Sequence, residues 1–173
     1  TDIGQGSNTV ITQICADALG MPLADFELVG PDTALTPDCG KTSASRQTFI
    51  TGKAAELSGR QLRADILRLS NMSDDATIRL DGAAITISDA GATHRIELAD
   101  MPLDDFGYVV RAEESFDPPT VPLDENGQGT PYAVYGYGAQ IAEIEVDLLL
   151  GTVKVIRITA AHDLGRVINP LLA

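Results

Sequence analysis

The stretch from Ala44 to Ser70 constrains this chain more than any other. It keeps helical spacing for roughly seven turns at 3.6 residues per turn. A helix of that length takes most of its stability from the packing of its apolar stripe. Ile50, Ala54 and Leu57 fall on one face. Beyond Ser58-Gly59 the stripe passes to Leu62, Ile66 and Leu69, about a quarter turn or more round the axis. The pattern therefore predicts either a kink at Ser58-Gly59 or two halves packed on different neighbours. Gly52, Ala55 and Gly59 leave room for another element to approach closely.

An earlier helix is marked by Val10, Ile11, Ile14, Cys15, Ala18 and Leu19 on one face. Ser7 or Asn8 is placed to cap it, and Gly20 with Pro22 ends it. Phe26–Val29 reads as a short strand and residues 30–43 as loop. Thr77–Leu80 and Ala84–Ile87 alternate around Asp81-Gly82, a hairpin signal, and Thr93–Leu98 adds a third strand. Residues 108–116 alternate less cleanly. Residues 117–131, with four Pro and two Gly, form a long irregular loop. The end reads as a hairpin of long strands. Glu143, Glu145 and Asp147 point one way, Ile144 and Val146 the other, and Lys154 and Arg157 answer the carboxylates. The expected class is α+β, with helices packed as a layer on a mainly antiparallel sheet, over a single unit spanning 1–173.

The chain carries 12 Lys and Arg against 25 Asp and Glu, a net charge of −13. That balance repels nucleic acid and anionic membrane, which need clustered basic residues. No apolar run approaches the ~20 residues of a membrane span. Cys15 and Cys39 show no metal spacing and read as reduced thiols of a cytoplasmic protein. The chain does not begin with Met and is expected to be a piece of a longer protein.

Two short turns of small residues open the helices: Thr1–Thr9 with Gly4-Gln5-Gly6, and Gly40–Gln47 with Ser43-Ala44-Ser45. A helix N-terminus has unpaired N–H donors and a partial positive charge, which suit an anion. Lys41 and Arg46 stand beside the second turn. Two such turns point to a ligand that bears phosphate and lies across both. The blander alternative is that Ser43 or Ser45 simply caps its helix. His162-Asp163 is the spacing of a base and its orienter, but a turn or core histidine explains it as well.

Several of these segments, in this order, resemble one family. They are Thr1–Gly6, Asp32-Thr33 through Thr42–Gln47, Gly52–Ala55, Glu143–Asp147 and Ala161–Pro170. Together they resemble the molybdopterin-binding subunit of the molybdenum hydroxylases, the xanthine dehydrogenase/aldehyde oxidase family. The resemblance implies hydroxylation of N-heterocycles or aldehydes, with water as the oxygen source. It implies a molybdenum-bearing molybdopterin, commonly the cytosine dinucleotide in bacteria, with 2Fe-2S clusters and FAD on other domains or subunits. By the same match, Gln5, Gly6, Ser43, Ala44, Ser45 and Arg46 would lie against the pterin and its phosphates. The family's catalytic Glu, in a Gly-rich segment, has no counterpart after Pro170, so the chain alone is expected to be inactive. Exposed faces are expected to make it self-associate. A non-enzymatic phosphate- or nucleotide-binding module and an interaction domain with merely capped helices remain the rival readings.

Overall fold

The computed structural model describes residues 2–171; Thr1, which begins the first turn, lies outside them. Two helices, α1 (Ser7–Leu19) and α2 (Arg46–Ser70), precede five strands. The strands are β1 (Thr77–Asp81), β2 (Ala84–Asp89), β3 (Ala92–Glu97), β4 (Tyr137–Asp147) and β5 (Thr152–Asp163).

The two helices meet at glycines. A Cβ built on Gly59 would stand 2.7 Å from the Cys15 carbonyl oxygen and 2.9 Å from Ala18 Cβ. One built on Gly52 would meet Ile14 Cδ1 at 2.8 Å. α2 runs unbroken through Ser58-Gly59, so the shift in its apolar stripe reflects a change of neighbour. Its first half lies on α1. Its second half carries Ile66 and Leu67 into a core shared with Leu19, Ala76, Ile78 and Ile87. Arg63 ties these parts together. Its Nη1 donates to the Leu19 carbonyl at 3.0 Å, and its Nη2 to those of Asp74 and Ala76 at 2.8 and 2.6 Å. α1 stops at Gly20, whose left-handed φ of +80° lets its N–H reach the Ala16 carbonyl.

β1, β2 and β3 form an antiparallel sheet in that order. The β1–β2 connection is the two-residue turn Gly82-Ala83, as the Asp81-Gly82 signal predicted. Ile78 pairs with Ile87 across the strands, and both are fully buried against α2. Residues 101–136 then run without a regular strand. They are fastened at a few points. Phe116 meets Phe49 of α2 edge-on at 5.6 Å, Val110 packs on the core, and Val121 and Thr130 exchange a single bridge. The irregular alternation at 108–116 therefore produces no strand.

β4 and β5 form a second antiparallel sheet, so the fold is α+β with antiparallel strands as expected, the strands of the described residues being divided between two sheets. Glu143 pairs with Arg157 and Ile144 with Val155, which leaves Ile156 as a bulge. The ion pairs foreseen across the strands form, Arg157–Glu143 at 3.2 Å and Lys154–Glu145 at 4.0 Å. Ile144, Val146, Val153 and Val155 share the opposite face, and every residue of both strands is exposed.

Phe26–Val29 is not a strand. A single 3-10 turn, Leu23–Asp25, precedes it, and neither edge of the three-stranded sheet pairs with it. Phe26 is held by the core instead, while Leu28 and Val29 are exposed.

Candidate functional site

Neither helix is capped by the residue that the sequence nominated. α1 begins after Gly6, which is left-handed, and no side chain at that position caps it. Asp2 reaches over instead. Its Oδ1 accepts the Gly4 N–H at 2.7 Å and its Oδ2 the Asn8 N–H at 2.9 Å. The Asn8 N–H, then that of Gly4, holds the Asp2 carboxyl below its ordinary pKa of 3.8. The start of α1 therefore already has an anion, the chain's own carboxylate.

α2 begins differently. Ala44 and Ser45, placed in the helix by periodicity, both take left-handed φ values, +53° and +52°. The helix starts at Arg46, and Ser45 provides no side-chain cap. A non-glycine residue in this region is strained by roughly 1–2 kcal/mol, and strain of this kind clusters at ligand sites. The turn is laced from below. Arg46 Nη1 donates to the carbonyls of Cys39 and Lys41 at 3.1 and 2.8 Å. Gln47 is buried, and its Nε2 donates to Thr42 Oγ1 at 3.2 Å, while Thr51 Oγ1 donates to Gln47 Oε1. Arg46 thus holds the 39–41 loop in place.

The two helix starts wall one cleft of about 680 Å³. Gln5, Gly6, Ser43, Ser45 and Arg46 all line it; Ala44 does not. Gln5 also steadies its own turn, since its Oε1 accepts the Ile3 N–H at 2.7 Å. Ser7 lines the same cleft, is 5% exposed, and its Oγ has no hydrogen-bond partner among the described residues. A buried hydroxyl without a partner is costly and is an opening for a ligand. The third wall comes from 164–169, after β5. Asn169 fastens that loop to α1 by donating its Nδ2 to Gln13 Oε1 at 3.2 Å. Ala44 lines a smaller neighbouring cavity of about 270 Å³ with Lys41, Phe49 and Tyr132; Ser43 and Arg46 border both spaces.

Sequence reasoning missed three parts of this site. Asp2 caps a helix from six residues before Asn8, a distance capping rules do not cover. The sequence offers Ser7 only as a cap. Arg166, in the cleft's third wall, lies in the Ala161–Pro170 segment that carries the resemblance, but nothing in that segment assigned it to the site. His162 is exposed on β5, Asp163 uses its Oδ1 to accept the Gly165 N–H at 2.9 Å, and among the described residues no hydrogen bond joins the two side chains. Among the described residues, no three His, Cys, Asp or Glu side chains gather to hold a metal ion. No helix there is long and apolar enough to cross a membrane.

The sequence pattern described as the molybdopterin cofactor-binding domain matches residues 1–173. The chain belongs to that family. Among its relatives is the putative xanthine dehydrogenase molybdenum-binding subunit XdhA of Escherichia coli K12, 28% identical over the whole chain and 23% of its own length. A probable xanthine dehydrogenase subunit of Bacillus subtilis is 31% identical over 98% of the chain and 22% of its own length. Aldehyde oxidase 1 of Cavia porcellus is 27% identical over 99% of the chain and 12% of its own length. The chain thus spans less than a quarter of the curated relatives that it matches. The donor set suits a molybdopterin, whose pterin ring takes hydrogen bonds and whose tail carries phosphate. The lining offers the Gln5 side chain, a Ser7 hydroxyl without a partner among the described residues, and the uncapped turn at 43–46.

Proposed function

We propose that the cleft holds part of a molybdopterin cofactor, in the cytosine dinucleotide form, for a parent oxidoreductase that hydroxylates N-heterocycles or aldehydes. The observation that supports this reading is that Gln5, Gly6, Ser43, Ser45 and Arg46, from two separate helix starts, wall a single cleft. The phosphate lies at the 43–46 turn, because the start of α1 is already filled by the Asp2 carboxylate, and a second anion there would be repelled. The pterin end faces Gln5–Ser7. The bound cofactor supplies the molybdenum that takes two electrons from substrate while water provides the oxygen. This chain's own residues bind and orient it. Electrons leave through 2Fe-2S clusters and FAD on other domains or subunits, a reading favoured by the two bacterial relatives, each of which is named as one subunit of an enzyme. The unpaired thiols Cys15 and Cys39 suit a reducing compartment such as the cytoplasm. The 173 residues alone turn over no substrate, since no counterpart of the family's catalytic Glu is among them.

The test is retention of cofactor. Molybdopterin cytosine dinucleotide released from a purified molybdenum hydroxylase is mixed with the chain, and pterin fluorescence is followed through gel filtration. Fluorescence co-eluting with the chain, and reduced by the double substitution Ser43→Ala, Ser45→Ala, is expected. Retention no greater than with serum albumin overturns the reading.

A further inference from the structure

The basic side chains of this acidic protein are nearly all accounted for. Among the described residues, seven of the 12 Lys and Arg stand in ion pairs. Arg46 and Arg63 donate to backbone carbonyls. Lys41, Arg79 and Arg166 have no such partner among the described residues, and of these only Arg166 lines the cleft. In a chain of net charge −13, carboxylates to pair with are plentiful. Arg166 is exposed on the wall of the cleft, so its guanidinium is hydrated and open to an anion that arrives from outside.

Its position is built rather than incidental. β5 ends at Asp163, and the chain reverses through Gly165 at φ +66°, whose N–H is held by Asp163 Oδ1. Asn169 then fastens the loop to α1 through Gln13. Arg166 stands between these two anchors. The other charged groups lining the cleft are Arg46 and Asp163. Arg46 has its Nη1 committed to the carbonyls of Cys39 and Lys41, and Asp163 accepts the Gly165 N–H with its Oδ1 while keeping its negative charge on the cleft wall.

We propose that Arg166 supplies the cationic contact to the ligand's phosphate, across the cleft from the 43–46 turn. This rests on the reading of the cleft as a cofactor site. A guanidinium offers paired donors that match two phosphate oxygens, and such charge-assisted bonds are about twice as strong as neutral ones. The phosphate is then gripped from two elements distant in sequence. The backbone and hydroxyls of the turn come from one side and the planar cation from the other, so the seat forms only when the 164–169 loop is docked on α1.

Sodium pyrophosphate serves as the probe, with amide NMR shifts to locate it and calorimetry to measure its affinity. In the unsubstituted chain, shifts are expected at amides 43–47 and 164–167, and not at 5–7, where the Asp2 carboxylate already stands. Arg166→Gln should weaken binding about tenfold, with a shallower loss of affinity as sodium chloride is added. Arg166→Lys should fall between, keeping the charge but losing the fork. Arg79→Gln, which removes an equally unpaired cation on β1 outside both cavities, should change nothing. If Arg166→Gln binds as tightly as Arg79→Gln while amides 43–47 still shift, the role of Arg166 is wrong and the cofactor reading stands. If pyrophosphate shifts no amide of the cleft in the unsubstituted chain, both are wrong.

Discussion

Asp2 does at the start of α1 what a bound anion would do, and this decides how the cleft is polarised. Its carboxyl titrates below 3.8 in the folded chain because it accepts backbone N–H bonds from Asn8 and Gly4. A depressed carboxyl contributes stability that is present above the unfolded value and is lost as the pH falls through the folded one. Asp2→Asn should therefore lower the unfolding temperature at pH 6. The gap from the unsubstituted chain should shrink as the pH drops below 3.8. A gap that is constant from pH 6 to pH 2.5 in thermal melts counts against this account. Ala44 and Ser45 teach the complementary lesson. Their neighbours read as the first turn of a helix, and a left-handed pair of non-glycine residues leaves no mark in the sequence. What holds them there is the lacing of Arg46 and Gln47 to residues 39–42, which only the folded loop provides.

At the scale of elements, the crossing of α1 and α2 sets the distance between the two helix starts, and glycines set the crossing. The sequence announced both glycines. It did not say which contact was the less forgiving. At Gly59 the obstacle is backbone, the Cys15 carbonyl; at Gly52 it is the flexible end of Ile14. Gly59→Ala should cost about 1–3 kcal/mol by forcing the helices apart. Gly52→Ala should cost much less, since Ile14 Cδ1 can turn aside and a helix gains roughly 0.5–1 kcal/mol from replacing Gly. Urea unfolding of the two variants checks the order, and equal losses would mean that the helices do not meet as described. Gly59→Ala should also weaken pyrophosphate binding, because a wider crossing moves the start of α1 relative to the 43–46 turn.

At the scale of the whole molecule, the β4–β5 hairpin stands apart from the core. A two-stranded hairpin is marginal without a covered face, yet one of its faces is apolar and every residue on it is exposed. Its tip is more exposed still, with Leu148 at 90% and Leu149 at 97%. Surfaces of this kind associate, so the chain by itself should sediment as more than a monomer. Leu149→Lys with Val155→Lys should shift it toward monomer without changing the α1–α2 core. A chain that is already monomeric at micromolar concentration would show that the hairpin is not adhesive. The sequence by itself determined the elements whose cause is local. The apolar period of both helices, the Asp81-Gly82 turn and the alternating charges of β4 each depend on residues a few positions apart. It also carried the family, because the motifs are linear. Only the tertiary structure decided that Asp2 fills the start of α1, that Phe26–Val29 finds no strand to pair with, and that Arg166 faces the same cleft as Ser45. Those outcomes depend on which distant groups meet, and hydrogen bonds and unpaired charges are settled by that meeting rather than by the order of residues along the chain.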